Sequence, residues 1–222
     1  MSEAAPGYAD APEFATTERA RLASAVRVLI DAVMTTPDAD AGTLVAVADD
    51  VDLLTARLTG GAPGERGPGY RPRSHTDYLP RSPVVGEASP LSPRLDWDVV
   101  DGRVHARGVF TAAFEGPPGF VHGGMVALAF DEVLGIVNIA NGSPGMTGTL
   151  TVRYRRPTPL HEEIRFEAWI DRVEGRRIVS RAELWAGETR CAEAEGIFVQ
   201  PRPEVAEAYF GGAPDGRTPF AS

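Results

Sequence analysis

One run of this sequence places chemistry where apolar packing is expected. From Pro117 to Gly142 the chain reads PPGFVHGGMVALAFDEVLGIVNIANG. Almost every residue from Met125 to Ile139 is apolar, yet Asp131 and Glu132 stand side by side in the middle, and the run opens with His-Gly-Gly. A helix that is apolar nearly all round is one that other elements enclose. Gly123 and Gly124 fall at its start, where the first backbone N–H groups have no internal acceptor and the positive end of the helix dipole points outward. Glycine lets a ligand approach that backbone closely, so the helix start is a candidate oxyanion or carbonyl-binding donor. The plainer alternative is that Asp131 and Glu132 form the wet stripe of an amphipathic helix. His-Gly-Gly alone is also common in loops.

Spacing sharpens the chemistry. Asp131 lies eight residues beyond Gly123, about 12 Å along a helix rising 1.5 Å per residue. A donor and a base that act on one carbonyl each stand roughly 3 Å from it. One helix therefore cannot supply both. Two copies of the helix, antiparallel in a symmetric dimer, bring Gly123 of one chain to Asp131 of the other and create two such sites.

The elements that must hold this helix are legible around it. Residues 1–13 read as a disordered tail. Residues 14–59 read as a helical hairpin extension, with Leu22, Val26, Leu29 and Val33 at helical spacing before a break between Pro37 and Gly42. Leu44, Val47, Val51, Leu54 and Leu58 form a second stripe, which needs cover. Residues 60–93 are rich in Gly and Pro and read as a linker and irregular lead-in. Residues 94–200 form the principal domain. Two strand-like runs there are joined by Asp101-Gly102, a hairpin signal. The helix follows, ended by Gly142 and Pro144. Four more strand-like runs occupy 147–155, 163–172, 177–186 and 189–199. In 163–172, Ile164, Phe166, Ala168 and Ile170 share a face. In 147–155 the odd positions Thr147, Thr149, Thr151, Arg153 and Arg155 share one face, and Leu150, Val152 and Tyr154 the other. Residues 201–222 read as a C-terminal tail. The order predicts an α+β domain, a curved antiparallel sheet wrapped around a central helix.

Composition narrows the function. The 222 residues carry 31 acids against 22 basic residues, a net charge of -9. Such a chain has no overall attraction for nucleic acid or anionic membrane. Every basic residue is Arg, which excludes a catalytic lysine. The single cysteine, Cys191, excludes an internal disulfide, favours a cytoplasmic setting and reads as a packing residue. No signal-peptide pattern opens the chain, and its longest unbroken apolar run is too short to span a membrane. His75, His105 and His161 lack metal-ligand spacing.

The stretches GPPGFVHGGMVALAFDEVLG, MTGTLTVRYRRPTPL and DRVEGRR closely resemble hotdog-fold acyl-CoA thioesterases of the phenylacetate-pathway and thioesterase-superfamily-member type, over roughly residues 94–200. The resemblance implies hydrolysis of an acyl-CoA to a carboxylic acid and coenzyme A by a homodimer or dimer of dimers. It implies no metal or cofactor, coenzyme A being part of the substrate. By position it makes Asp131 the catalytic acid, as nucleophile or general base, and Gly123 the donor that polarises the thioester carbonyl. It has His122 orient that turn and Thr147 stand near the acid or the attacking water. Arg155 and Arg176 fall where such proteins meet coenzyme A phosphates, with Arg153 and Arg156 as further candidates. Two other readings compete: a non-catalytic acyl-CoA-binding protein, and an enoyl or hydroxyacyl thioester hydratase. Asp131 and Thr147 together disfavour the first. The second usually pairs a His with a carboxylate, and no His precedes His122 in the EGPPGF turn.

Overall fold

The computed structural model describes residues 16–61 and 78–202. The expected tail 1–13, the stretch 62–77 of the linker and lead-in, and residues 203–222 of the C-terminal tail lie outside it. The elements are α1 (Thr17–Thr35), α2 (Ala41–Thr59), β1 (Asp96–Val100), β2 (Arg103–Val109), α3 (Gly123–Ala140), β3 (Met146–Tyr154), β4 (Glu163–Glu174), β5 (Arg177–Ala186) and β6 (Thr189–Val199). Short 3-10 turns occur at Leu79–Arg81 and Ala112–Phe114.

All six strands form one antiparallel sheet in the order β1-β2-β4-β5-β6-β3. Asp101 (φ 50°) and Gly102 (φ 73°) both take the left-handed conformation between β1 and β2, as a two-residue turn matched to strand twist requires. From β2 the chain crosses the sheet as α3 and returns as β3 on the far edge. The helix buries Val126, Ala129, Phe130, Val133, Leu134, Ile136 and Val137 against the sheet. Phe130 meets Phe166 of β4 edge to face, with ring centroids 5.2 Å apart. Ile164, Phe166 and Ala168 are buried on the predicted face of β4. By length and composition alone α3 is apolar enough to cross a membrane. Its burial against the sheet marks it as a core helix.

β3 departs from simple alternation. Thr147 pairs with Phe198 and Thr149 with Ile197, so Gly148 is an extra residue, a β-bulge. Phe198 faces the core, and Thr147 faces it too. It lies on the side of Leu150, Val152 and Tyr154, opposite to Thr149, Thr151 and Arg153. The expected common face of Thr147 with the later odd positions is thus broken, because a bulge inverts the period-2 rule.

The two N-terminal helices form, each capped by its own side chain, Thr16 for α1 and Asp40 for α2. Among the described residues α1 alone is anchored: Ala23 is buried and Arg27 donates to the carbonyl of Ser89 at 2.6 Å. α2 buries no residue, and its stripe stays open, from 36% exposed at Val51 to 67% at Leu58. No described element of the same chain covers it.

Two truncations are expected to separate these regions. Phe130→Ala should cost about 3–5 kcal/mol in urea denaturation, as for other buried aromatics. Leu54→Ala, 57% exposed, should stay within about 0.5 kcal/mol. A comparable loss at Leu54 would show that the α2 stripe is covered in the folded protein.

Candidate active site

The turn before α3 is fastened at several points. Gly116 N–H donates to the Phe120 carbonyl and Phe120 N–H to that of Pro117, both at 2.9 Å. Gly119 N–H donates to Glu115 Oε1 at 2.7 Å, and His122 N–H to the Phe114 carbonyl at 2.8 Å. A Cβ on Gly116 would stand 2.7 Å from His122 Cα, so the turn closes only with glycine there.

His122 is the N-cap of α3, and its Nδ1 accepts the N–H of Gly124 at 3.0 Å. This leaves the ring proton on Nε2. The Met125 and Val126 N–H groups donate to the His122 carbonyl. The Gly123 N–H is left over, with no acceptor among the described residues. Its own carbonyl is held by Tyr154, whose hydroxyl donates to it at 2.7 Å. The helix start therefore presents one donor without a described acceptor, next to a Gly123–Gly124 peptide held at its carbonyl by Tyr154 and at its N–H by His122, an arrangement that stabilises negative charge on a ligand oxygen.

Asp131 is half-buried, and Thr147 donates its hydroxyl proton to Asp131 Oδ1 at 2.8 Å. The Gly148 bulge makes this contact by turning Thr147 inward. Next along the helix, Glu132 accepts the Tyr78 hydroxyl at 3.0 Å. Burial, more than any other influence, raises the Glu132 pKa, and the charge of Asp131 adds to it. Burial and Glu132 likewise push Tyr78 upward, so it remains a donor.

The structure brings Asp131 to Thr147 at the start of β3, and Gly123 to His122 and Tyr154 near its end. The four arginines are dispersed. Arg155, just past β3, is ion-paired with Glu193, and Arg156 donates to the Arg155 carbonyl at 2.9 Å. Arg176 lies in the β4–β5 turn, where its Nε donates to the Gln200 carbonyl at 2.8 Å. It is thus near the Asp131 end, since Gln200 follows Val199, the partner of Met146. Arg153 lies on the outer sheet face in a shallow groove with Trp169, Arg181, Glu193 and Glu195, away from α3. Tyr154 and Tyr78 are the site residues that sequence patterning missed. Alternation put Tyr154 on the correct face without showing what it touches. The segment around Tyr78 has no periodicity to read.

Two expectations follow from this geometry. Gly116→Ala should destabilise by about 1–3 kcal/mol in urea denaturation, because the clash is with backbone. For Glu132, a folded-state pKa above the ordinary 4.5 means that the folded chain holds more protons than the unfolded one between the two values. This carboxyl's contribution to stability is therefore lost as pH rises through that interval. Glu132→Gln should gain stability relative to wild type over the same interval. A difference independent of pH would show that the carboxyl is not shifted.

Comparison with known proteins agrees with this architecture. Residues 118–193 match the thioesterase superfamily. The chain is 31% identical over 91 residues to acyl-coenzyme A thioesterase THEM4 of Xenopus laevis, covering 40% of this chain and 41% of that protein. It is 32% identical over 92 residues to THEM4 of Mus musculus, covering 40% of each. The match thus spans about two-fifths of the length of these curated relatives. A crystal structure of a thioesterase superfamily protein is 31% identical, with a TM-score of 0.73, over 86% of this chain and 94% of the other. The chain, with its six-stranded sheet, central helix and two N-terminal helices, belongs to the hotdog-fold thioesterase superfamily.

Proposed function

We propose that this protein hydrolyses acyl-CoA thioesters at sites assembled from two copies of the chain. One observation carries the reading: β3 holds both halves of the site, at opposite ends. Thr147 at its start bonds Asp131, and Tyr154 at its end bonds the Gly123 carbonyl. β3 is also an open edge of the sheet. Antiparallel pairing of two such edges, with the two-fold axis near Leu150 and Thr151, sets the start of one β3 against the end of the other. Gly123 of one copy then meets Asp131 of the second, and Arg155 of one shares a site with Arg176 of the second. The helix leaves room for a neighbour: Leu128 is 37% exposed, and a Cβ at Gly135 would meet nothing within 4 Å.

In such a site the Gly123 N–H polarises the thioester carbonyl and stabilises its developing negative charge. Asp131, steadied by Thr147, either takes a proton from the attacking water or attacks the carbonyl itself. In the first route the water oxygen bonds to the carbonyl carbon, the C–S bond breaks and the thiolate of coenzyme A takes up a proton. In the second, water hydrolyses the resulting anhydride. A cytosolic setting suits the unpaired Cys191.

The test begins with release of free thiol from short, medium, long and aromatic acyl-CoAs. Binding without release would instead make the protein a silent acyl-CoA binder. Asp131→Asn should lower turnover at least ~100-fold, the scale of a general base. Mixing Asp131→Asn with Gly123→Leu under subunit exchange should restore up to about a quarter of wild-type activity, since half of randomly paired dimers carry one intact site of two. No recovery despite verified exchange would place donor and acid in the same chain. Arg176→Ala should raise KM more than it lowers kcat, as a contact present in ground and transition states alike does.

A further inference from the structure

Asp131 and Glu132 are consecutive on α3, so their side chains leave the helix about 100° apart. Asp131 reaches Thr147 on β3, while Glu132 reaches Tyr78. Tyr78 lies fifty-four positions earlier in the chain, and between it and β1 the one regular element is the 3-10 turn at Leu79–Arg81.

That segment is nevertheless rigidly rooted. Ser82 is wholly buried, and its Oγ accepts the N–H groups of Val84 at 3.0 Å and Val85 at 3.2 Å. Ser92, also wholly buried, donates to the Val84 carbonyl at 2.7 Å and accepts Arg94 N–H at 2.8 Å. Val84 itself is 2% exposed, and Arg27 of α1 grips the Ser89 carbonyl. Tyr78 therefore projects from a fixed base. Its bond matters to Glu132 because the other carboxyl oxygen, Oε1, is sealed from solvent and the nearby Ser82 hydroxyl, though it favours the charged carboxylate, makes no well-directed hydrogen bond to it. Removing a donor from a buried acceptor costs the acceptor's desolvation as well as the bond. The carboxyl would then move toward water and take its helical turn with it, and Asp131 shares that turn.

We propose that Tyr78 and Glu132 form a latch that holds the Asp131 turn of α3 against segment 78–92, making Glu132 a positioning residue of the site. The inference rests on Asp131 being the reacting carboxylate, as proposed above. It adds that the irregular segment before the sheet is part of the site's framework.

The test compares Tyr78→Phe, Glu132→Ala and Glu132→Gln with wild type on an acyl-CoA that the wild type hydrolyses. A displaced carboxylate costs rate more than binding, so Tyr78→Phe and Glu132→Ala should each lower kcat about 5- to 20-fold with KM within about twofold. Glu132→Gln keeps an acceptor for Tyr78 and should recover most of the turnover lost in Glu132→Ala. Wild-type kcat in folded Tyr78→Phe and Glu132→Ala overturns the latch, as does a rise in KM with kcat unchanged. Hydrogen exchange decides independently of activity. Amides of residues 79–92 and of the Asp131 turn should exchange faster in Tyr78→Phe, and unchanged protection overturns the latch. If wild type cleaves no acyl-CoA, the thioesterase reading fails, and the exchange measurement alone decides whether the latch exists.

Discussion

The rise of an α-helix is the constraint on which the rest of this molecule depends. At 1.5 Å per residue, Gly123 and Asp131 are held about 12 Å apart however the surroundings adjust. Both are individually furnished for chemistry. The Gly123 N–H has no acceptor among the described residues and adjoins a peptide held by His122 and Tyr154, and Asp131 is held by Thr147. A rigid spacer between two prepared groups fits the proposed arrangement, in which each works with the complementary group of another copy paired at the open β3 edge.

β3 carries more of this design than its plain sequence conveys. Alternation over its nine residues would send Thr147 to the outer face. The extra residue at Gly148 inverts the phase, so that Thr147 and Tyr154 both face α3. The strand thereby touches the helix at its start and again at its middle. One bulge lets a single strand reach both chemical groups of the helix.

Charge is handled differently on the two sides of the sheet. Outside, arginines and acids neutralise one another across strands, as in Arg103–Glu167, Arg155–Glu193 and Arg181–Glu195. Arg103 and Arg165 also lie over the rings of Trp169 and Trp185. Exposed pairs of this kind add only about 0–1 kcal/mol each, but they keep the face wet and explain an outward tryptophan amid charges. Inside, Glu132 has no ion pair among the described residues and is faced by the hydroxyls of Ser82 and Tyr78, so burial governs its protonation. The same contrast separates the N-terminal helices. α1 is fixed by a buried Ala23 and by Arg27, whereas the apolar stripe of α2 has no cover in the described chain.

The sequence alone determined what local rules can encode. Hydrophobic periodicity identified α3 and the strands. Asp101-Gly102 marked the hairpin because both positions favour positive φ. Eight-residue spacing separated donor from acid without any coordinates, since helix rise does not depend on context. The pairing of Thr147 with Asp131, the clamp of Tyr154 on Gly123 and the reach of Tyr78 to Glu132 were decided by tertiary structure. Each joins residues between sixteen and fifty-four positions apart, and no periodicity links such positions. The face of Thr147 depended on a bulge that only the register with β6 reveals. The open stripe of α2 was decided in the same way: a sequence shows that a face is apolar, but only the packed chain shows whether anything lies against it.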